Sequence, residues 1–199
     1  MNVEERTYWR CETCALTWLD AVHHLGPEAE RAVYDQHDNR VDDQGYRGFL
    51  ARLVTPLLTR LDKPCEGLDL GCGPGPALAA MMTEAGHEMS LYDPYYAPDP
   101  AVLETTYDVI TTTETVEHFY APGEAFARIA KMLRPGGWLG VMTCFQTDDA
   151  RFARWHYRRD PTHVAFYREE TMHWIARRHG WDVWIPAKDV VIFHRPSVP

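Results

Sequence analysis

The chain has 199 residues, with 20 Lys and Arg against 29 Asp and Glu and a formal net charge of −9 at pH 7. That length reads as one domain with a modest N-terminal extension, and the acidity disfavours nucleic acid, whose phosphates call for a basic surface. No run reaches the roughly 18 apolar residues of a membrane span, the opening Met-Asn-Val-Glu-Glu-Arg is no secretory or transit signal, and the five cysteines are irregularly spaced, so a cytoplasmic protein with reduced thiols is expected.

Residues 1–26 read as an irregular segment in which Cys11-x-x-Cys14 forms half of a zinc ribbon. A closed zinc site needs four ligands. His23 and His24 stand at a poor spacing, so no metal is assigned there. Pro27 opens a helix over 27–37, with Glu28 and Glu30 in its first turn. A second helix runs from about Asp43 to Leu61, apolar at 46, 49, 50, 53, 54, 57, 58 and 61, with Pro56 as a kink or break. From Glu66 strands and helices alternate. Strands are expected at 67–70, 88–92, 107–113 and 138–143, and helices at 76–86, 122–133 and 168–179. A turn at Arg134-Pro-Gly-Gly137 precedes the fourth strand, and 181–185 and 189–193 form a closing antiparallel hairpin. This order predicts an α/β fold: a mostly parallel sheet with a C-terminal antiparallel hairpin and helices on both faces. The domain is drawn as 27–199, with a helical lead-in at 27–62 and a core at 66–195.

Between Gly67 and Pro76 an apolar run ends in Asp69, and Gly71, Gly73 and Gly75 then alternate with Cys72 and Pro74. Strand, Gly-rich turn and helix in that order let a ligand approach the backbone and offer it a helix N-terminus. The spacing D-x-G-x-G-x-G differs from the G-x-G-x-x-G of nicotinamide-dependent oxidoreductases.

This loop resembles motif I of the class I S-adenosylmethionine (SAM) dependent methyltransferases, and four further features match that pattern in order. Asp93 lies eighteen residues beyond Gly75 at a strand end, Glu114-Thr-Val-Glu117-His118 follows the strand at 107–113, Leu133-Arg-Pro-Gly-Gly-Trp-Leu precedes the next, and Asp160-Pro-Thr-His163 precedes the last helix. The resemblance is to small methyltransferases of the ubiquinone-biosynthesis type and implies a Rossmann-like fold, SAM as cofactor and a small-molecule acceptor methylated on oxygen or carbon. Nucleic acid or membrane partners are not expected, and no oligomeric state is assigned. Methylation of RNA or protein, and a catalytically silent SAM-binding module, are the alternatives.

The resemblance implies cofactor contacts at Asp69, Gly71, Cys72, Gly73, Gly75, Asp93, Pro94, Thr113 and Glu114, with Asp93 accepting from the ribose hydroxyls. Only residues 94–106 separate Asp93 from the next strand, too few for a helical crossover. The third helix and strand are therefore cut down to an extended edge at Ala101–Thr105, and adenine is expected against Pro94 or Tyr95. Glu117, His118 and His163 are the catalytic candidates, His163 as general base. A divalent ion at the Glu114–His118 segment is the rival, and no metal is assigned. Trp155, His156, Tyr157, His163, Phe166 and Tyr167 serve either helix packing or an acceptor pocket, and the sequence leaves the two level. Seven arginines between 151 and 178 read as a solvated helix face, with an anionic-substrate mouth as the rival.

Overall fold

The computed structural model describes residues 1–36 and 39–197. In chain order the elements are β1 (Asn2–Val3), β2 (Arg6–Arg10), β3 (Thr17–Leu19), α1 (Pro27–Tyr34), α2 (Gln44–Leu58), β4 (Glu66–Leu70), α3 (Ala77–Glu84), β5 (Glu88–Tyr92) and β6 (Tyr107–Thr113). There follow α4 (Pro122–Met132), β7 (Leu133–Met142), the short α5 (Asp149–Phe152) and α6 (His156–Arg159), β8 (Ala165–Phe166), α7 (Glu169–His179), β9 (Asp182–Ala187) and β10 (Val190–His194). The main sheet has the order β5-β4-β6-β7-β10-β9. Its first four strands run parallel, and the hairpin of β9 and β10 closes it antiparallel against β7.

Successive side chains of a strand point to opposite faces, and here both faces are covered. Ile110, Leu139, Val141, Val191 and Phe193 pack with Phe126 and Ile129 of α4 and Met172 and Ile175 of α7. Val109, Met142, Val190 and Ile192 pack on the other face with Leu50, Leu53 and Leu57 of α2 and Leu78 and Met82 of α3. The helical period of α2 puts its apolar stripe there, and the Asp43 side chain caps its start by accepting from the Tyr46 N–H at 2.6 Å. Pro56 sits inside α2, which ends two residues later at Leu58, earlier than the expected Leu61.

Three expectations are corrected. Residues 1–26 are not irregular: β1, β2 and β3 form a small antiparallel sheet completed by β8. Tyr8 pairs with Leu19 on its buried face and Trp9 with Trp18 on its exposed one. The sheet covers a separate cluster in which Tyr8 meets Phe152 edge-on at 5.0 Å. Residues 101–105 are not an extended edge, because Asp99 caps the Ala101 N–H at 2.9 Å and starts a 3-10 turn over Pro100–Glu104 that buries Leu103. β6 therefore pairs directly with β4, and β5 is the sheet edge. The Arg134–Gly137 turn lies inside β7, where pairing to β6 slips between Tyr107 and Val109.

Arg158 also departs from the solvated face expected of it. Its side chain is 1 % exposed and donates to the Tyr8 hydroxyl at 3.1 Å, Glu4 at 2.6 Å and the Ala153 carbonyl at 3.0 Å. It ties α6 to the N-terminal sheet. Removing the buried guanidinium leaves the Tyr8 hydroxyl and the Ala153 carbonyl without their donor, so Arg158→Ala should cost about 1–3 kcal/mol of stability. Exposed Arg154→Ala should cost close to nothing. Thermal denaturation of the two variants checks this, and equal midpoints contradict it.

Candidate functional site

The carboxyl ends of β4, β5 and β6 open onto one cavity of about 700 Å³, the place where open α/β sheets put their ligands. Its floor is the loop after β4. Gly71 has φ +80°, and a methyl group there would stand 2.2 Å from Thr115. A methyl on Gly75 would strike the carbonyl oxygen of Asn39, itself a cavity-lining residue, at 1.8 Å, so the turn accepts only glycine there. Gly73 lines the cavity with nothing in front of it.

Asp93 binds the floor to the next turn. One carboxylate oxygen accepts from the Gly73 N–H at 3.1 Å, and the other accepts from the N–H groups of Tyr95 and Tyr96 at 2.8 and 3.1 Å. Of the expected cofactor contacts, Gly71, Cys72, Gly73, Asp93, Pro94, Thr113 and Glu114 line the cavity. Asp69 and Gly75 do not. Asp69 is buried behind the loop and accepts from the Thr111 hydroxyl at 3.0 Å, and burial pushes its carboxyl up to about 6. Its place makes it a support of the loop. Asp99 and Glu104 also lie off the cavity, Asp99 as a cap and Glu104 beside Arg128.

The roof is α1, whose contribution the sequence did not reveal. Glu30 is buried and accepts from the hydroxyls of Tyr34 (3.0 Å), Tyr95 (2.6 Å) and Tyr120 (3.0 Å). Tyr96 reaches Asp35 at the end of the same helix at 2.7 Å. In the sequence Glu30 is helix-opening chemistry, and its spacing carries no other local signal.

At the end of β6 the chain turns sharply. Glu114 has φ +47°, a left-handed conformation that costs a non-glycine residue on the order of 1 kcal/mol. The next residues wind into a 3-10 turn over Val116–His118. Glu117 is fully buried and accepts from the hydroxyls of Thr143 (2.9 Å) and Tyr157. His118 and His163 face the cavity with ring centroids 4.8 Å apart. Each Nδ1 faces a backbone carbonyl, Thr162 at 3.0 Å for His118 and Tyr157 at 2.7 Å for His163. A carbonyl can only accept, so both rings carry a proton on Nδ1, and the neutral ring then offers its lone pair on Nε2. Burial pushes the His163 imidazole below its ordinary value, which keeps it neutral.

Glu117, His118 and His163 offer ligand atoms within 4.8 Å of one another. Two imidazoles held by carbonyls and one carboxylate suit a divalent ion, and the same geometry suits proton transfer. Cys11 and Cys14 gain no third ligand among the described residues. The aromatic segment divides: Tyr157 and His163 reach the cavity, Phe166 and Tyr167 are core, Trp155 packs against Phe166, and His156 is exposed. None of the arginines between 151 and 178 lines the cavity.

The model of a methyltransferase domain matches residues 43–184. The chain belongs to this methyltransferase family. The chain is 30% identical over 143 residues to the ubiquinone biosynthesis O-methyltransferase of Burkholderia cenocepacia, covering 71% of this chain and 55% of the relative. It is 27% identical over 159 residues to that of Nitrosococcus oceani, covering 75% and 66%. The chain thus spans about half to two thirds of the length of these relatives. Its fold is that of Burkholderia thailandensis 1,6-didemethyltoxoflavin-N1-methyltransferase, solved with its substrate and S-adenosylhomocysteine (SAH), at a TM-score of 0.55 and 20% identity over 97% of this chain and 99% of that one. The magnesium protoporphyrin IX methyltransferase of Synechocystis, solved with SAH, matches at a TM-score of 0.55 and 16% identity over 76% and 83%.

Burial, and then the neighbouring Glu117, push the Glu114 carboxyl of the methyltransferase up from its ordinary 4.5 to about 9. A folded-state value raised above the unfolded one means the fold favours the protonated acid. That stability is complete below about 4.5 and is lost as pH rises towards about 9. The ligand-free Glu114→Gln variant should therefore gain in melting temperature on the wild type between pH 5 and pH 8.5. A gap that stays constant across that range contradicts the assignment.

Proposed function

We propose that this methyltransferase carries a methyl group from SAM to a small aromatic acceptor, on oxygen or carbon, and that it works in the cytoplasm. The observation that carries the reading is that the glycine loop, Asp93 and the histidine pair all face one cavity. The O-methyltransferase names of the relatives and the SAH in the fold neighbours support it. Five free cysteines, and the lack among the described residues of a helix able to cross a membrane, agree with the location.

In this reading a ribose hydroxyl lies against Asp93, whose Gly73-facing oxygen keeps a lone pair beyond the three N–H bonds. Adenine would lie against Pro94, since no acid from residues 99–104 faces the cavity. SAM, when bound, would supply the methyl group as an electrophile, its C–S bonding pair passing to sulfur as the acceptor's lone pair forms the new bond. When the acceptor is a hydroxyl its proton goes to the Nε2 of His163. The protein's work is to align the two reactants and to hold that base.

His163→Ala should lower turnover by about 10²–10⁴-fold and leave SAH affinity nearly unchanged, and the wild-type rate should fall as acid protonates His163 below its ordinary range. Turnover by His163→Ala at the wild-type rate contradicts general-base catalysis there. EDTA should leave the wild-type rate intact; a rate abolished by EDTA and restored by a divalent cation would reassign Glu117, His118 and His163 as its ligands.

A further inference from the structure

Four carboxyl groups, of Glu30, Asp93, Glu114 and Asp160, line the cavity, and among the described residues no lysine or arginine does. Asp93 and Glu114 stand where the methyl-transfer reading puts the cofactor. Glu30 belongs to the roof, and Tyr34, one helical turn along, meets the His118 ring edge-on at 5.2 Å, which carries the group to the acceptor side. With the Tyr34, Tyr95 and Tyr120 hydroxyls all donating to it, the charge of Glu30 spreads over three phenol rings. Aromatic faces are already negative, and hydrogen bonding to an anion makes them more so. From Tyr95 the ring wall runs through Tyr34, His118 and His163 to Tyr157 without a break.

None of the arginines between 151 and 178 faces the cavity, and two of them are committed elsewhere. Arg158 is buried against Glu4 and Tyr8, and Arg168 pairs with Asp149 at 2.6 Å. A carboxylate or phosphate entering this cavity would meet like charge and no partner. A planar cation would meet π faces and a buried counter-charge.

We propose that the acceptor is an aromatic compound bearing a positive charge away from the methylated atom, with Glu30 and its three tyrosines as the counter-charge. The proposal rests on the methyl-transfer reading and narrows it. Dopamine, catechol and homoprotocatechuate share one ring and differ in carrying an ammonium, no charge or a carboxylate. Calorimetric titration of each into the SAH-saturated protein at pH 7 should give dopamine as the tightest ligand, at least about tenfold ahead of homoprotocatechuate, with catechol between them. Glu30→Gln, whose amide oxygen can still accept from the tyrosines and keep the roof joined to the floor, should weaken dopamine about tenfold and SAH far less. If Glu30→Gln does not fold, Tyr120→Phe, at a half-exposed side chain, should show the same loss at smaller amplitude.

An equal or inverted order in the wild type, or no binding of dopamine, overturns the proposal. So does a dopamine preference that survives in both variants. Failure of the first step, SAH saturation, would defeat the methyl-transfer reading itself and is seen before any acceptor is added.

Discussion

The cavity depends on one carboxylate. Asp93 collects three main-chain N–H groups, one from the glycine loop and two from the turn after β5. Charge-assisted bonds of this kind are among the stronger ones a fold makes. Through them Gly73 is fixed relative to Tyr95 and Tyr96, and these two tyrosines reach up to Glu30 and Asp35 on α1. The floor and the roof of the cavity are thus joined by a single continuous set of bonds with Asp93 at its centre. That also explains why a crossover too short for a helix suffices here: the turn needs to present two tyrosines, not to supply another strand.

A second constraint acts at the end of β6. The left-handed Glu114 turns the chain so that Glu117 points inward and His118 faces the cavity. Glu117 is tolerated at zero exposure because the Thr143 and Tyr157 hydroxyls donate to it. Tyr157 in turn is held on α6, whose next residue is the buried Arg158 that anchors to Tyr8 and Glu4. The N-terminal sheet therefore supports the cavity from behind, through one helical turn.

The main sheet was legible because its strands carry local signatures: apolar runs, a Gly-rich turn, Pro-Gly-Gly before Trp138. Gly71, Gly73, Asp93 and His118 reach the cavity because they follow strand ends, whereas His163 was legible only through the Asp160-Pro-Thr-His163 resemblance. Asp69 read as a contact because it precedes the loop, yet strand alternation sends it behind the loop to Thr111. The N-terminal sheet escaped notice because it is completed by β8, whose partner β3 lies almost the whole chain away. Glu30 escaped for a similar reason. Two of its three partners, Tyr95 and Tyr120, are distant in sequence, and a helix-opening glutamate looks the same whether it meets water or three phenols.

The central claim is that this floor and roof enclose a SAM-type cofactor. Titration of SAH into the ligand-free protein by calorimetry tests it directly, with NAD as the comparison. The account predicts one SAH site of micromolar affinity, no comparable binding of NAD, and a loss of about a hundredfold in Asp93→Ala, which both removes a ligand contact and cuts the floor from the roof. Tight NAD binding with none for SAH, or SAH affinity unchanged in Asp93→Ala, would contradict it.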